Sequence, residues 1–256
     1  MKEHAPRIEV VGNVSAVAER AAALVIARMQ DRRPITLALA TGATMTPLYG
    51  HLVAATRAGL ISFRMVSSFN LDEYVGIAPQ SPGSFHAYMQ QHLLGHVDME
   101  AGRANIPNGM ADNVAAEAAR YEAQIAAAGG IDLLLLGIGA NGHIGFNEPG
   151  SDFASRTREV RLDQSTRIAN AINFPDPASV PERAITMGIA TILEARSILL
   201  VAKGPEKAAA VAAALEGPIS EACPASALRL HGNIDILCDE PAAAALATRP
   251  NNWRRA

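Results

Sequence analysis

Between Gly137 and Gly150 the chain reads Gly-Ile-Gly-Ala-Asn-Gly-His-Ile-Gly-Phe-Asn-Glu-Pro-Gly. The side chains able to move protons stand among glycines that let the backbone turn sharply and approach a ligand. His143 can exchange protons near neutral pH. Glu148, five residues on, and Asn141, two before, are suited to fix its tautomer, and a carboxylate also raises its basicity. The plainer alternative is a structural histidine in a glycine-rich turn. A second candidate is Asp72-Glu73, directly after Phe69-Asn-Leu71. Strand alternation sends neighbouring side chains to opposite sides, so at most one of the two should face a ligand. A carboxylate there could serve as a base on carbon, its protonation tuned by burial; paired acids are also common as solvated loop residues. The third candidate is Thr41-Gly-Ala-Thr44, where Thr41, Gly42, Ala43 and Thr44 lie between an apolar run and a helical stretch. Backbone amides and hydroxyls at such a helix start suit a phosphate or other oxyanion, although Thr is also a normal capping residue. The segment lacks the Lys and the spacing of a nucleotide-binding P-loop.

All three segments directly follow apolar runs, and the elements between them set the fold. Strands are expected at Ile8–Val11, Ile35–Ala40, Arg64–Leu71, Thr157–Leu162, Ser197–Ala202 and Ile234–Cys238. Ile131–Gly137 is a continuous apolar run, the pattern of a central strand buried on both faces. Helices are expected over Val14–Gln30, with Val17, Ala21, Leu24 and Val25 on one face, and from about Thr46 to Ala58. Others are read at Ser84–Leu94, at Ala111–Ala128 stopped by Gly129-Gly130, at Gly188–Ala195 and at Pro205–Leu215. The alternation argues for an α/β, Rossmann-like fold: one mostly parallel sheet with helices on both faces, spanning residues 1–256 as a single domain. In such sheets ligands bind beyond the carboxyl ends of the strands, where all three candidate segments fall.

The bulk properties narrow the class. The chain has 256 residues, 49% hydrophobic and 18% charged, which excludes a disordered chain. A net charge of −3 gives no basic field for nucleic acid. Cys223 and Cys238 form no CxxC pair and read as buried thiols in a reducing compartment. MKEHAPRIEV lacks the apolar run of a secretory signal, and no stretch approaches the ~20 apolar residues of a membrane span. A cytoplasmic protein is expected.

At the motifs LATGATMTPLY (Leu39–Tyr49), FNLDEYVG (Phe69–Gly76), SPGSFHAYM (Ser81–Met89), LLGIGANGHIGFNEPGSDFASRTR (Leu135–Arg158), ITMGIATIL (Ile185–Leu193) and PASALRLH (Pro224–His231) the chain resembles the glucosamine-6-phosphate deaminase family. That family lies within the fold group that also holds 6-phosphogluconolactonases, and the resemblance covers nearly the whole chain. It implies release of ammonia from an amino-hexose 6-phosphate, with fructose 6-phosphate as the product from glucosamine 6-phosphate. By position it makes Asp72 the base that moves a proton between C2 and C1. His143 becomes the residue that opens the sugar ring, with Glu148 and Asn141 as partners. Family members often carry Asp where this chain has Asn141. The phosphate is assigned to the Gly42–Thr44 backbone, to Lys207, and to an Arg whose position here is Ile172. A neutral Ile cannot form the two-pronged bond an Arg makes to phosphate. Lys207 and the loop suffice, or another basic residue reaches in, or the substrate lacks the phosphate.

The resemblance calls for no cofactor, and no His/Cys cluster has metal spacing. Tyr74 and Tyr88 are candidates to line the pocket, with core packing the preferred assignment for both. In the region of the family's allosteric site stand Ser151, Asp152, Arg158 and Val160, where a basic residue is expected at 160 and an acid at 152 repels an anion. No such regulation is therefore expected, and a monomer or small homo-oligomer is. A lactonase, a galactosamine 6-phosphate isomerase and a non-catalytic sugar-phosphate sensor are the competing readings.

Overall fold

The computed structural model describes residues 3–30, 34–100, 102–174, 176, 179–247 and 254–255. Its main sheet is built from β1 (Arg7–Val11), β2 (Ile35–Leu39), β3 (Val66–Asn70), β5 (Ala104–Asn105), β6 (Leu133–Gly137), β9 (Ile198–Ala202), β10 (Ile234–Asp239) and β11 (Arg254–Arg255). The strands lie in the order β11-β1-β10-β9-β6-β2-β3-β5, and every pairing is parallel. Every residue of β2 and β9 is buried, as are Leu133–Leu136 of β6. The leucine run thus does what its lack of alternation implies and faces apolar neighbours on both sides.

Helices connect the strands. They are α1 (Val14–Met29), α2 (Met45–Arg57), α3 (Phe85–His92), α4 (Val114–Ala127), α5 (Gln164–Asn170), α6 (Ile189–Leu193) and α7 (Ala208–Glu216). Asn13 and Asn113 cap α1 and α4, each accepting the backbone N–H three residues on at 3.0 Å. Gly129 and Gly130, both at positive φ, end the α4 connection. From β2 the chain steps through α2 to β3 and on to β5; from β6 it steps the opposite way through β9 to β10. Right-handed crossovers place the helices of these two arms on opposite faces. The direction reverses between β2 and β6, which are neighbours.

A second sheet was not foreseen. β4 (Asp72–Tyr74), β8 (Arg183–Thr186) and β7 (Arg158–Arg161) pair antiparallel in that order, with Asp72 opposite Thr186 and Arg158 also opposite Thr186. Tyr74, Phe146, Leu162 and Ala184 form its own small core. Asp72 therefore sits in a strand rather than in a loop after one, and the expected mostly parallel sheet is joined by a small antiparallel one. β7 falls within the strand expected at Thr157–Leu162, whereas β4 and β8, which pair with each other across more than a hundred residues, left no local signature. α5 and β8 were also unforeseen, and the stretch expected to be helical over 205–215 begins as a 3-10 turn at Pro205–Lys207. Among the described residues no helix is long and apolar enough to cross a membrane.

Leu135 is fully buried in the middle of β6. Leu135→Ala should lower the unfolding free energy by roughly 2–5 kcal/mol, read from the urea midpoint at unchanged slope. A loss well under ~1 kcal/mol would mean that β6 is not the packed centre of the molecule.

Candidate functional site

The reversal between β2 and β6 opens a crevice at their carboxyl ends, the usual ligand position in such sheets. A cavity of about 970 Å³ lies there. Thr41, Gly42, Ala43 and Thr44 line it, together with Asp72, Asn141, His143 and Lys207. Glu148 stands behind, bonded to Asn141. The three segments singled out from the sequence thus meet at one site.

At its floor the chain leaves β2 through Gly42, whose φ of 106° suits glycine alone. Thr44 has helical φ/ψ, and its hydroxyl makes no capping bond, so the ordinary N-cap reading fails. The N–H groups of Gly42, Ala43 and Thr44 donate to no partner among the described residues. Free amides at the positive end of a thirteen-residue helix favour an oxyanion.

Asp72 leads β4 and is 5% exposed. Its carboxylate has no hydrogen bond or ion pair among the described residues. Burial, reinforced by the neighbouring Glu73, pushes it up to about 8. The glycine-rich turn closes over it: a Cβ on Gly145 would come 3.1 Å from Thr186 Oγ1 and 3.5 Å from Asp72 Oδ2. Phe146 N–H donates to the same Thr186 hydroxyl at 3.1 Å, which fixes the turn against β8. Glu73 points the other way, as alternation requires, and accepts the N–H groups of Tyr74, Phe85 and His86 at 2.9–3.0 Å. It anchors the start of α3 and takes no part in the cavity.

His143 lines the same cavity and is partly exposed. Gly139 makes room for it, since a Cβ there would fall 2.3 Å from the imidazole. Glu148 Oε2 is 3.4 Å from His143 Nδ1, within electrostatic reach but short of a well-aligned hydrogen bond. Asn141 binds both: its amide donates to Glu148 Oε2 at 2.8 Å, and its carbonyl accepts His143 N–H at 3.2 Å. Thr166 donates to the other oxygen of Glu148. Burial would push Glu148 up, but the His143 ring, the Thr166 hydroxyl and the Asn141 amide outweigh it and hold the carboxyl below its usual range. The two site carboxylates are therefore driven in opposite directions.

Lys207 is half-buried at the end of the turn preceding α7, and burial lowers its ammonium from the ordinary lysine range. Ile172 lies at the cavity mouth, 89% exposed. Arg167 is committed elsewhere, to the Val180 carbonyl at 3.2 Å and to Glu182. Of the two tyrosines assigned to packing, Tyr74 is buried in the small core. Tyr88 is corrected: it lines the cavity and donates to Gly42 O at 2.9 Å. Sequence reasoning also missed Thr166 and Lys203. No pattern marks a single Thr in an unrecognised helix, or a Lys at the end of an apolar strand. Among the described residues no three His, Cys, Asp or Glu side chains converge where a metal ion could be held.

Comparison with known proteins shows the family of this chain. Residues 12–236 match the family described as glucosamine-6-phosphate isomerases/6-phosphogluconolactonase. A glucosamine-6-phosphate deaminase of Rhodopirellula baltica is 48% identical over 242 residues, covering 94% of this chain and 96% of the relative. One from Shouchella clausii is 48% identical over 91% of this chain and 94% of its own. A solved monomeric glucosamine-6-phosphate deaminase superposes with a TM-score of 0.89 at 44% identity, covering 93% of this chain and 99% of that one. The 6-phosphogluconolactonase of Trypanosoma brucei, at 22% identity and a TM-score of 0.75, shares the fold.

The raised Asp72 carboxyl has a consequence for stability. Between the usual carboxylate range and about 8, the folded protein holds a proton that the unfolded chain has released. Stability attributable to this group therefore falls as pH rises through that window. Asp72→Asn should be more stable than the wild type at pH 9, by on the order of a few kcal/mol, with the gap closing toward pH 4. Thermal midpoints measured across pH check this; a gap independent of pH would contradict the burial of a charge-bearing group.

Proposed function

We propose, on the premise that this chain belongs to the family of glucosamine-6-phosphate isomerases and 6-phosphogluconolactonases, that it is a glucosamine-6-phosphate deaminase. In that reading it converts glucosamine 6-phosphate and water to fructose 6-phosphate and ammonia. The observation that carries it is the shared cavity: an unpartnered buried carboxylate and an imidazole backed by Glu148, with free backbone amides at the floor.

The chemistry follows from this arrangement. The phosphate rests on the amides of Gly42, Ala43 and Thr44 and against Lys207, with the Thr41 hydroxyl beside it. With Nδ1 turned toward Glu148, Nε2 of His143 is left to meet the sugar and protonates the ring oxygen as the bond from C1 to that oxygen opens and the C1 hydroxyl gives up its proton to form the aldehyde. Glu148 stabilises the imidazolium, and Asn141 keeps ring and carboxylate in register. Asp72 as carboxylate then takes the proton from C2 while O1 gains one, giving the 1,2-enolamine. Returning a proton to C1 leaves an imine at C2; water adds there and ammonia departs. A base on carbon gains strength from burial, which is what its surroundings impose on Asp72. We further read residues 1–256 as one functional unit acting in the cytoplasm as a monomer or small homo-oligomer; the 44%-identical relative described as monomeric supports that state.

Three outcomes are expected. Purified protein should release ammonia from glucosamine 6-phosphate in preference to galactosamine 6-phosphate and to unphosphorylated glucosamine. Activity on the unphosphorylated sugar alone would give the exposed Ile172 a different meaning and overturn the phosphate assignment. Asp72→Asn should lower turnover by roughly 10²–10⁴-fold while sugar phosphate still binds. Finally, kcat/KM should rise with pH through about 8, since the free protein must lose the Asp72 proton to act. The substrate ammonium next to that carboxylate favours its charged form, so the corresponding limb of kcat should lie lower.

A further inference from the structure

No arginine is among the described residues lining the cavity, and the side chain at its mouth is Ile172. A dianionic phosphate there would meet two ammonium groups, Lys207 and Lys203. Lys203 directly follows β9, whose carboxyl end lies beside that of β6 through the pair Gly137 and Val201. Its Nζ donates to the Ala43 carbonyl at 2.9 Å, which brings the ammonium onto the loop whose amides stand free. Neither lysine forms a direct ion pair among the described residues, although the carboxylate of Glu206, also on the cavity wall, attracts the Lys207 ammonium.

The position of Lys203 is held from beneath. Gly204 turns the chain at a φ of 87°, and its N–H donates to both oxygens of Asp239 at 3.0 Å. Asp239 is fully buried at the end of β10. The lysine therefore leaves a braced turn with a mobile four-carbon stem, anchored only by a neutral carbonyl. The ammonium has three donors and spends one on Ala43, so another can turn toward an arriving anion in a bond charged on both sides.

We propose that Lys203 is a phosphate-binding residue that supplies, from the end of β9, the positive charge which Ile172 does not. This rests on the reading of the cavity as a sugar-phosphate site, and it adds a residue which that reading did not contain. It makes binding of the phosphorylated end depend on a pair of lysines flanking a helix terminus. Lysine acts as a point charge, so such a site should depend on charge more than on geometry.

The test separates charge from support. Gln at 203 can still donate to the Ala43 carbonyl but carries no charge; Met at 203 can do neither. Lys203→Gln should weaken inorganic phosphate, measured by calorimetry and as a competitive inhibitor, by roughly 10- to 100-fold. It should raise KM for glucosamine 6-phosphate by a similar factor, with little change in kcat/KM for unphosphorylated glucosamine. Lys203→Arg should restore most of the affinity. If Lys203→Gln binds phosphate like the wild type while Lys203→Met does not, the lysine is a loop strut and the proposal fails. It fails equally if both variants retain wild-type affinity, or if the wild type does not bind phosphate. A chain that binds phosphate through Lys203 yet releases no ammonia keeps this inference and loses the deaminase reading. A working deaminase indifferent to Lys203→Gln does the reverse.

Discussion

The direction in which the strands are laid down reverses between β2 and β6, and the location of the site follows from that reversal. Crossovers to either side carry the chain away from this pair onto opposite faces, so at their carboxyl ends no connection covers the sheet. The Thr41–Thr44 loop and the glycine-rich turn begin at these two strand ends, which places free amides and an imidazole side by side without long excursions. A tightly packed core resists deformation, so the spacing of the groups around the gap is inherited from the packing below.

The electrostatics are arranged by contrast. Asp72 is stripped of partners and rises; Glu148 gathers an imidazole, a hydroxyl and an amide and falls. Glu73, between Asp72 and Tyr74, accepts three backbone N–H groups at the start of α3, yet burial still leaves it raised from its usual range. Three carboxylates of similar intrinsic acidity are thereby given three tasks by what surrounds them. Glycine plays the complementary part at two positions, where a methyl group at 139 or 145 would strike the imidazole or crowd Thr186 and Asp72.

Much of this was legible in the chain. Unbroken apolar runs such as Leu133–Leu136 and Ile198–Ala202 identify strands buried on both faces, and the glycine-rich segment follows the first of them. Alternation alone predicted that only one of Asp72 and Glu73 would reach a ligand. Of the small sheet only β7 was legible, because β4 and β8 are short, partly polar, and paired with each other far across the sequence. Tyr88 was misassigned because a tyrosine in an amphipathic stretch reads as packing until its hydroxyl is seen on the Gly42 carbonyl. Lys203 and Thr166 carry no spacing rule; their roles exist only after the fold brings β9 and α5 to the same opening.

One backbone residue joins the two sheets. Leu71 donates its N–H to Leu39 of β2 at 3.1 Å and accepts the Met187 N–H beyond β8 at 2.8 Å. It lies between the last residue of β3 and Asp72, so the carboxylate hangs from a seam stitched to both layers, with no slack on either side. Remodelling the surface loops would leave that carboxylate where it is. Diversification toward a differently shaped sugar is thereby channelled into the rim, through side chains such as Ile172, while the proton-handling machinery stays put.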